Sequence, residues 1–194
     1  MSIEYKSAPS QLAAEYIELR GLTRENAITE DILRSYGITA ESWAQDIESG
    51  QIQGVIALSG ANMVGYCFGD LKTGEVIVLA VLPSHECQGI GQRLLTLIVE
   101  ALKGQGHIRL FLGCAPDPSV RSYGFYRHLG WQSTGALDTH VGRKGRPRAQ
   151  RVICAEDKVR STWPPFRRRL TSRSEVKPAS AGGRRHKGGC ARTA

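Results

Sequence analysis

The stretch from residue 75 to 103 constrains this chain more than any other. Glu75–Leu82 reads EVIVLAVL, an almost continuous apolar run bounded by Gly74 and Pro83, as a strand buried on both faces would be. A glycine-containing loop, Glu86-Cys87-Gln88-Gly89-Ile90-Gly91, follows at once. Gln92–Lys103 then sets Leu94, Leu95, Leu97, Ile98, Ala101 and Leu102 at the spacing of an amphipathic helix. A buried strand feeding a glycine loop at a helix start makes an anion site. The amides of the first turn and the positive end of the helix dipole point at one spot. Gly89 and Gly91 remove side chains that would hold a phosphate away from the backbone. A dinucleotide fingerprint would need glycine at 94, where Leu94 stands, and no Walker loop is present. Taken alone, the loop reads more readily as a glycine turn that merely joins strand to helix.

The surrounding pattern is mixed. Pro9–Arg20 carries Leu12, Ala13, Tyr16, Ile17 and Leu19 at helical spacing. Thr29 is a candidate N-cap for a short helix ending near Gly37, and Thr39 for a third helix, Ala40–Ile47, closed by Gly50. Gly54–Leu58 and Met63–Phe68 read as strands joined by the hairpin turn Ser59-Gly60-Ala61-Asn62. Arg109–Cys114 is a further strand, Ser119–His128 a short helix stopped by Gly130, and Trp131 opens another strand. No internal repeat is visible.

Charge divides the chain. Residues 1–140 hold 10 Lys+Arg and 15 Asp+Glu, whereas residues 141–194 hold 16 and 3, so the formal +8 belongs to the last quarter. That quarter contains four of the eight prolines and two basic clusters, Arg167-Arg168-Arg169 and Arg184-Arg185-His186-Lys187. Its only apolar island is Arg151–Ala155. Such a composition predicts a basic tail, residues 158–194, that is disordered for want of a core, and any contact with nucleic acid would run through it. No apolar run approaches the roughly 20 residues of a bilayer span. The five cysteines are widely spaced with no CxxC pair, which argues against a disulfide framework or a metal site and for a reducing, cytoplasmic setting.

VLAVLPSHECQGIGQRLL, followed about 30 residues later by SYGFYRHLGW, resembles the GNAT superfamily of N-acetyltransferases. Val81-Leu82-Pro83 and Gly89-Ile90-Gly91 fit the family's strand and pyrophosphate loop; Tyr126 and Gly130-Trp131 fit its later helix. The resemblance covers roughly residues 5–137. It implies an α/β (α+β) fold with a mixed, mostly antiparallel central sheet flanked by helices, in a domain of residues 1–140 that a late strand near Val152-Ile153-Cys154 would extend to about 157. It implies acetyl-CoA as co-substrate, lying along Leu79, Ala80 and Val81. Its pyrophosphate would meet Glu86, Cys87, Gln88, Gly89, Ile90, Gly91, Gln92 and Arg93, and its pantetheine arm Ser119. The acceptor would be an amine on a small molecule, a lysine or a protein N-terminus, and a homodimer is compatible with the family. The alternative is the same fold with weak or no catalysis, serving as an interaction module whose tail binds nucleic acid.

An amine with a pKa of about 10.4 is only about one part in 2,500 neutral at pH 7, a deficit of roughly 4.6 kcal/mol. A base that takes its proton is therefore useful. Glu75, at the start of the central strand, is the candidate, directly or through a water; it is equally readable as a solvated strand-end carboxylate. The family parallel makes Tyr126 the acid for the departing thiolate, whose conjugate acid lies near 8.5 against about 10 for a phenol. The Val81 amide would polarise the thioester carbonyl. Attack would be direct, within a ternary complex. Two positions depart from the pattern: Glu86 stands where the family usually has Gln or Arg, and Ser119 where it often has Asn. The first removes or inverts side-chain help to the phosphates, and leaves the backbone, with Arg93, to carry them. Cys114 reads as a buried strand cysteine, and Arg20–Asn26 lies where the family's variable acceptor segment usually lies.

Overall fold

The computed structural model describes residues 2–25, 27–115, 117–138 and 151–156. The expected disorder of residues 158–194 falls outside them. In chain order the elements are β1 (Ile3–Ser7), α1 (Ala13–Gly21), α2 (Glu30–Ser35), α3 (Ala40–Glu48), β2 (Ile52–Ser59), β3 (Asn62–Asp70), β4 (Glu75–Val81), α4 (Ile90–Gly104), β5 (Leu110–Cys114), α5 (Arg121–His128), β6 (Gln132–Asp138) and β7 (Arg151–Glu156). The strands form one sheet in the order β1-β2-β3-β4-β5-β7-β6. Every neighbouring pair is antiparallel except β4 and β5. This is the expected mixed, mostly antiparallel sheet flanked by helices.

Two cores lie on the sheet's faces. Ile90, Leu94, Leu95, Ile98 and Leu102 of α4 pack with Val64, Cys67, Val76, Leu110 and Leu112 into an aliphatic layer that also takes Tyr126 and Trp131. The other layer is aromatic. Tyr16 of α1 and Trp43 of α3 meet Tyr66 and Phe68 of β3 at ring-centroid distances of 5.0–6.1 Å, a range in which tilted and edge-on pairs are favourable. The Tyr16 hydroxyl donates to the Pro9 carbonyl, and the Tyr66 hydroxyl to the Tyr16 carbonyl, each at 2.8 Å. The buried phenols are thereby satisfied.

Local chemistry sets the element ends. Thr39 and Ser42 cap each other's backbone in a reciprocal box at the start of α3. Thr29 occupies the N-cap of α2, but its side chain makes no capping bond. β1 is an element that the sequence analysis passes over. Its five residues alternate Ile3 and Tyr5, packed on the aliphatic layer, with the paired charges of Glu4 and Lys6, as suits a short edge strand. β7 supplies the late strand, wider than the Val152–Cys154 expected, and runs between β5 and β6.

β4 corrects one expectation. It is not buried on both faces: Ile77 is 44 % exposed, and Glu75, Val78, Leu79 and Val81 are only partly covered. The register explains why. Phe68 pairs with Val78 and Gly69 with Val76, so Ile77 is an extra, bulged residue. A bulge bends a strand and sharpens its twist. β4 pairs with β5 only at Glu75–Phe111 and Val76–Leu112. Beyond Val76 the β4–β5 ladder ends, and among the described residues Ile77–Val81 has no partner in β5.

Candidate active site

This unpaired stretch of β4 leads into the loop before α4. Pro83–His85 forms one 3-10 turn. Cys87 then adopts φ +60°, and Gly89 adopts φ +77° as the N-cap of α4. The left-handed region is open to glycine and disfavoured for cysteine. A glycine N-cap has no side-chain acceptor, and none reaches the helix start. The first backbone bond closing α4 is donated by Arg93 to the Gly89 carbonyl, at 3.0 Å, so the amides of Ile90, Gly91 and Gln92 precede the helical ladder. A Cβ at Gly89 would have no heavy atom within 4 Å, and one at Gly91 would lie 3.7–3.8 Å from Phe125, Val81 and Leu79. These glycines are not demanded by crowding from the protein itself. They leave room above uncapped, positively polarised amides, which fits a phosphate-bearing ligand.

Glu86 is drawn into an ion-pair cluster. Its Oε2 accepts from Arg121 Nη1 at 2.5 Å and from Arg24 Nε at 3.1 Å. Arg24 follows α1, which packs in the aromatic layer, whereas Arg121 opens α5, whose Tyr126 lies in the aliphatic one. The cluster therefore joins segments from both faces. Arg121 Nη2 also donates to Cys87 Sγ at 3.4 Å. Hydrogen bonding to Glu86 holds the Arg121 guanidinium even more firmly protonated than usual. In three dimensions Glu86 is one carboxylate facing two guanidinia. Neither arginine is linked to this loop by the sequence analysis. The signal was the carboxylate itself, which at an anion site calls for cationic partners.

The remaining expected residues divide between wall and loop. Leu79 and Val81 border the aliphatic layer, and Ala80 is buried in the aromatic one. Gln88 is exposed, its Nε2 donating to the Ser84 carbonyl at 3.3 Å. Arg93 lies on the first turn of α4, near enough to Tyr5 to act on its ionisation. Ser119 turns towards its own segment: its amide donates to Asp117 Oδ1 at 2.8 Å, and with its hydroxyl holds the Asp117 carboxyl below the usual range. Tyr126 is 9 % exposed, its ring edge-on to Phe125 and Trp131. Glu75 sits at the first β4–β5 pair, its amide donating to Thr73 Oγ1 at 3.3 Å. Cys114 is buried, as expected. Cys67 is wholly buried, and desolvation pushes its thiol well above the usual range. Two concavities, of about 340 and 460 Å³, lie elsewhere and include no residue of the β4–α4 loop.

Comparison with known proteins bears on the family and the fold. A model of the acetyltransferase (GNAT) family matches residues 12–131, and the chain belongs to that family. No curated protein matches it. Among solved structures it is similar to the ribosomal-protein-S18-alanine N-acetyltransferase of Escherichia coli (14 % identity, TM-score 0.61, covering 83 % of this chain and 98 % of that one). It is also similar to the PaiA N-acetyltransferase of Thermoplasma acidophilum in complex with coenzyme A (17 %, 0.58, 81 % and 100 %). A third is yncA of Salmonella typhimurium with its cofactor acetyl-CoA (17 %, 0.60, 81 % and 94 %). At these identities the likeness is one of fold.

Proposed function

We propose that the protein is an acetyl-CoA-dependent N-acetyltransferase acting on a primary amine. The observation that carries this reading is the edge of β4 left unpaired beyond Val76, followed by the uncapped first turn of α4. An extended thioester coenzyme with two linked phosphates suits both parts. Leu79, Ala80 and Val81, with Ser119, would line its arm, and the Glu86–Arg93 segment would hold its polar end. The group supplies an acetyl thioester when bound.

The chain's own residues have three tasks. Main-chain amides past β4 bind and aim the coenzyme, which turns a bimolecular encounter into a positioned one. Glu75 takes the amine's proton, directly or through a water, as the nitrogen–carbon bond forms. Tyr126 gives a proton to the sulfur as the carbon–sulfur bond breaks, so protons balance across the step. Packing of the Tyr126 ring against Phe125 and Trp131 supports this role by fixing the phenol's position.

The test is acetyl transfer by the full chain to a panel of small amines, lysine peptides and protein N-termini. Released thiol and the product's added acetyl group would both be measured. Tyr126→Phe keeps the ring packing and is expected to lower the rate roughly 100-fold while coenzyme affinity stays unchanged. Equal rates for the two proteins would remove Tyr126 from the mechanism, and no transfer to any amine would remove the function.

A further inference from the structure

The Arg24–Glu86–Arg121 cluster lies at the loop expected to hold phosphates, yet its central member is an anion. The body that carries it has more acidic than basic residues, so two guanidinia converging on one carboxylate oxygen are not a by-product of a basic surface. The two arginine side chains remain 57 % and 50 % exposed, whereas Glu86 is only 19 % exposed. The carboxylate is covered and the cations face solvent. A guanidinium has five donors. Arg24 spends one on Glu86, and Arg121 spends one there and one on Cys87, so each retains donors for another anion. Ion pairs whose cations stay half in solvent are individually weak, while phosphate accepts a guanidinium through two parallel bonds. A phosphate arriving at the first turn of α4 is therefore a better partner than Glu86.

Building on the coenzyme reading above, we propose that Arg24 and Arg121 are side-chain ligands for the coenzyme's phosphates and that Glu86 is a resident anion holding both in place until the phosphates arrive. One arginine belongs to the segment after α1 and the other to the start of α5, so the exchange draws both segments onto the ligand. The arrangement restores the cationic help that the loop's own side chain at 86 cannot give.

Calorimetric titration of the full chain with CoA and with phosphate-free pantetheine, at low and high salt, tests this. Arg121→Gln is expected to weaken CoA binding about tenfold and Arg24→Gln about threefold, since charge-assisted bonds are lost. Pantetheine binding stays unchanged, and the salt dependence for CoA becomes shallower. Arg121→Lys, which keeps the charge without the fork, falls between. Glu86→Gln tightens CoA binding about threefold by removing the competing carboxylate. Melting curves accompany each variant, so that a folding defect is read separately. Arginine variants that melt like the parent and bind CoA with unchanged affinity and salt dependence overturn the assignment while leaving the coenzyme reading intact. A Glu86→Gln variant that binds more weakly overturns the resident-anion role. A parent chain that binds no CoA overturns both.

Discussion

The loops at the two ends of β4 are built from similar residues to opposite ends. In the incoming loop, Asp70 Oδ1 accepts the amides of Lys72 and Thr73 at 2.8 Å each, and Thr73 Oγ1 accepts that of Glu75. Gly74, at φ +78°, donates to the Asp70 carbonyl at 3.0 Å. A Cβ there would lie 3.0 Å from His107 Nδ1, so the glycine serves close packing. That loop is closed on itself. The outgoing loop has a positive-φ glycine too, but Gly89 faces open space and brings no side-chain acceptor to the helix it opens. Loops that satisfy their own amides are structure. A loop that leaves them uncapped at a helix N-terminus, beside two arginines, is the surface we propose receives the coenzyme.

Substitutions can break that contrast. Gly89→Val forces a β-branched residue into the left-handed region, at about 1–2 kcal/mol, and covers the amides. Coenzyme affinity should fall by more than about tenfold, equivalent to 1.4 kcal/mol, with a modest drop in melting temperature. Gly91→Ala separates the two effects more sharply. Its Cβ meets only ordinary contacts, and alanine is favoured over glycine in a helix by about 1 kcal/mol. Stability should therefore rise while coenzyme binding weakens severalfold, as calorimetry and thermal denaturation would show together. Asp70→Ala in the other loop should do the converse, losing about 1 kcal/mol of stability with coenzyme affinity untouched. The smallest effect is expected from Cys87→Gly. It relieves about 1 kcal/mol of positive-φ strain, partly offset by glycine's greater freedom when unfolded, for a slight gain in melting temperature.

Much of this architecture is legible in sequence because it is local. The apolar run of β4, the glycines and the stripe of α4 announce a strand–loop–helix unit, and Thr39 marks the start of α3 where it caps. What escapes is non-local. The apolar letters of Glu75–Leu82 read as doubly buried. Only the pairing with β3 reveals the bulge at Ile77, and only the pairing with β5 reveals where that ladder ends. β1 escapes because five residues with charges at alternate positions look like a polar terminus until β2 pairs with them. Glu86 reads as a defect of the phosphate loop because its two arginines come from distant segments. Nothing in a one-dimensional pattern links positions 24, 86 and 121.

The central claim is that backbone amides at the start of α4 receive the coenzyme's phosphates. Amide NMR spectra of the labelled chain, recorded through a titration with CoA, address those groups individually. Gly89, Ile90, Gly91 and Gln92 should shift strongly and saturably, while Lys72 and Thr73 at the other end of β4 hold still. Resonances from residues 89–92 that stay in place at saturating CoA, or that move no more than those of the closed loop, would contradict it.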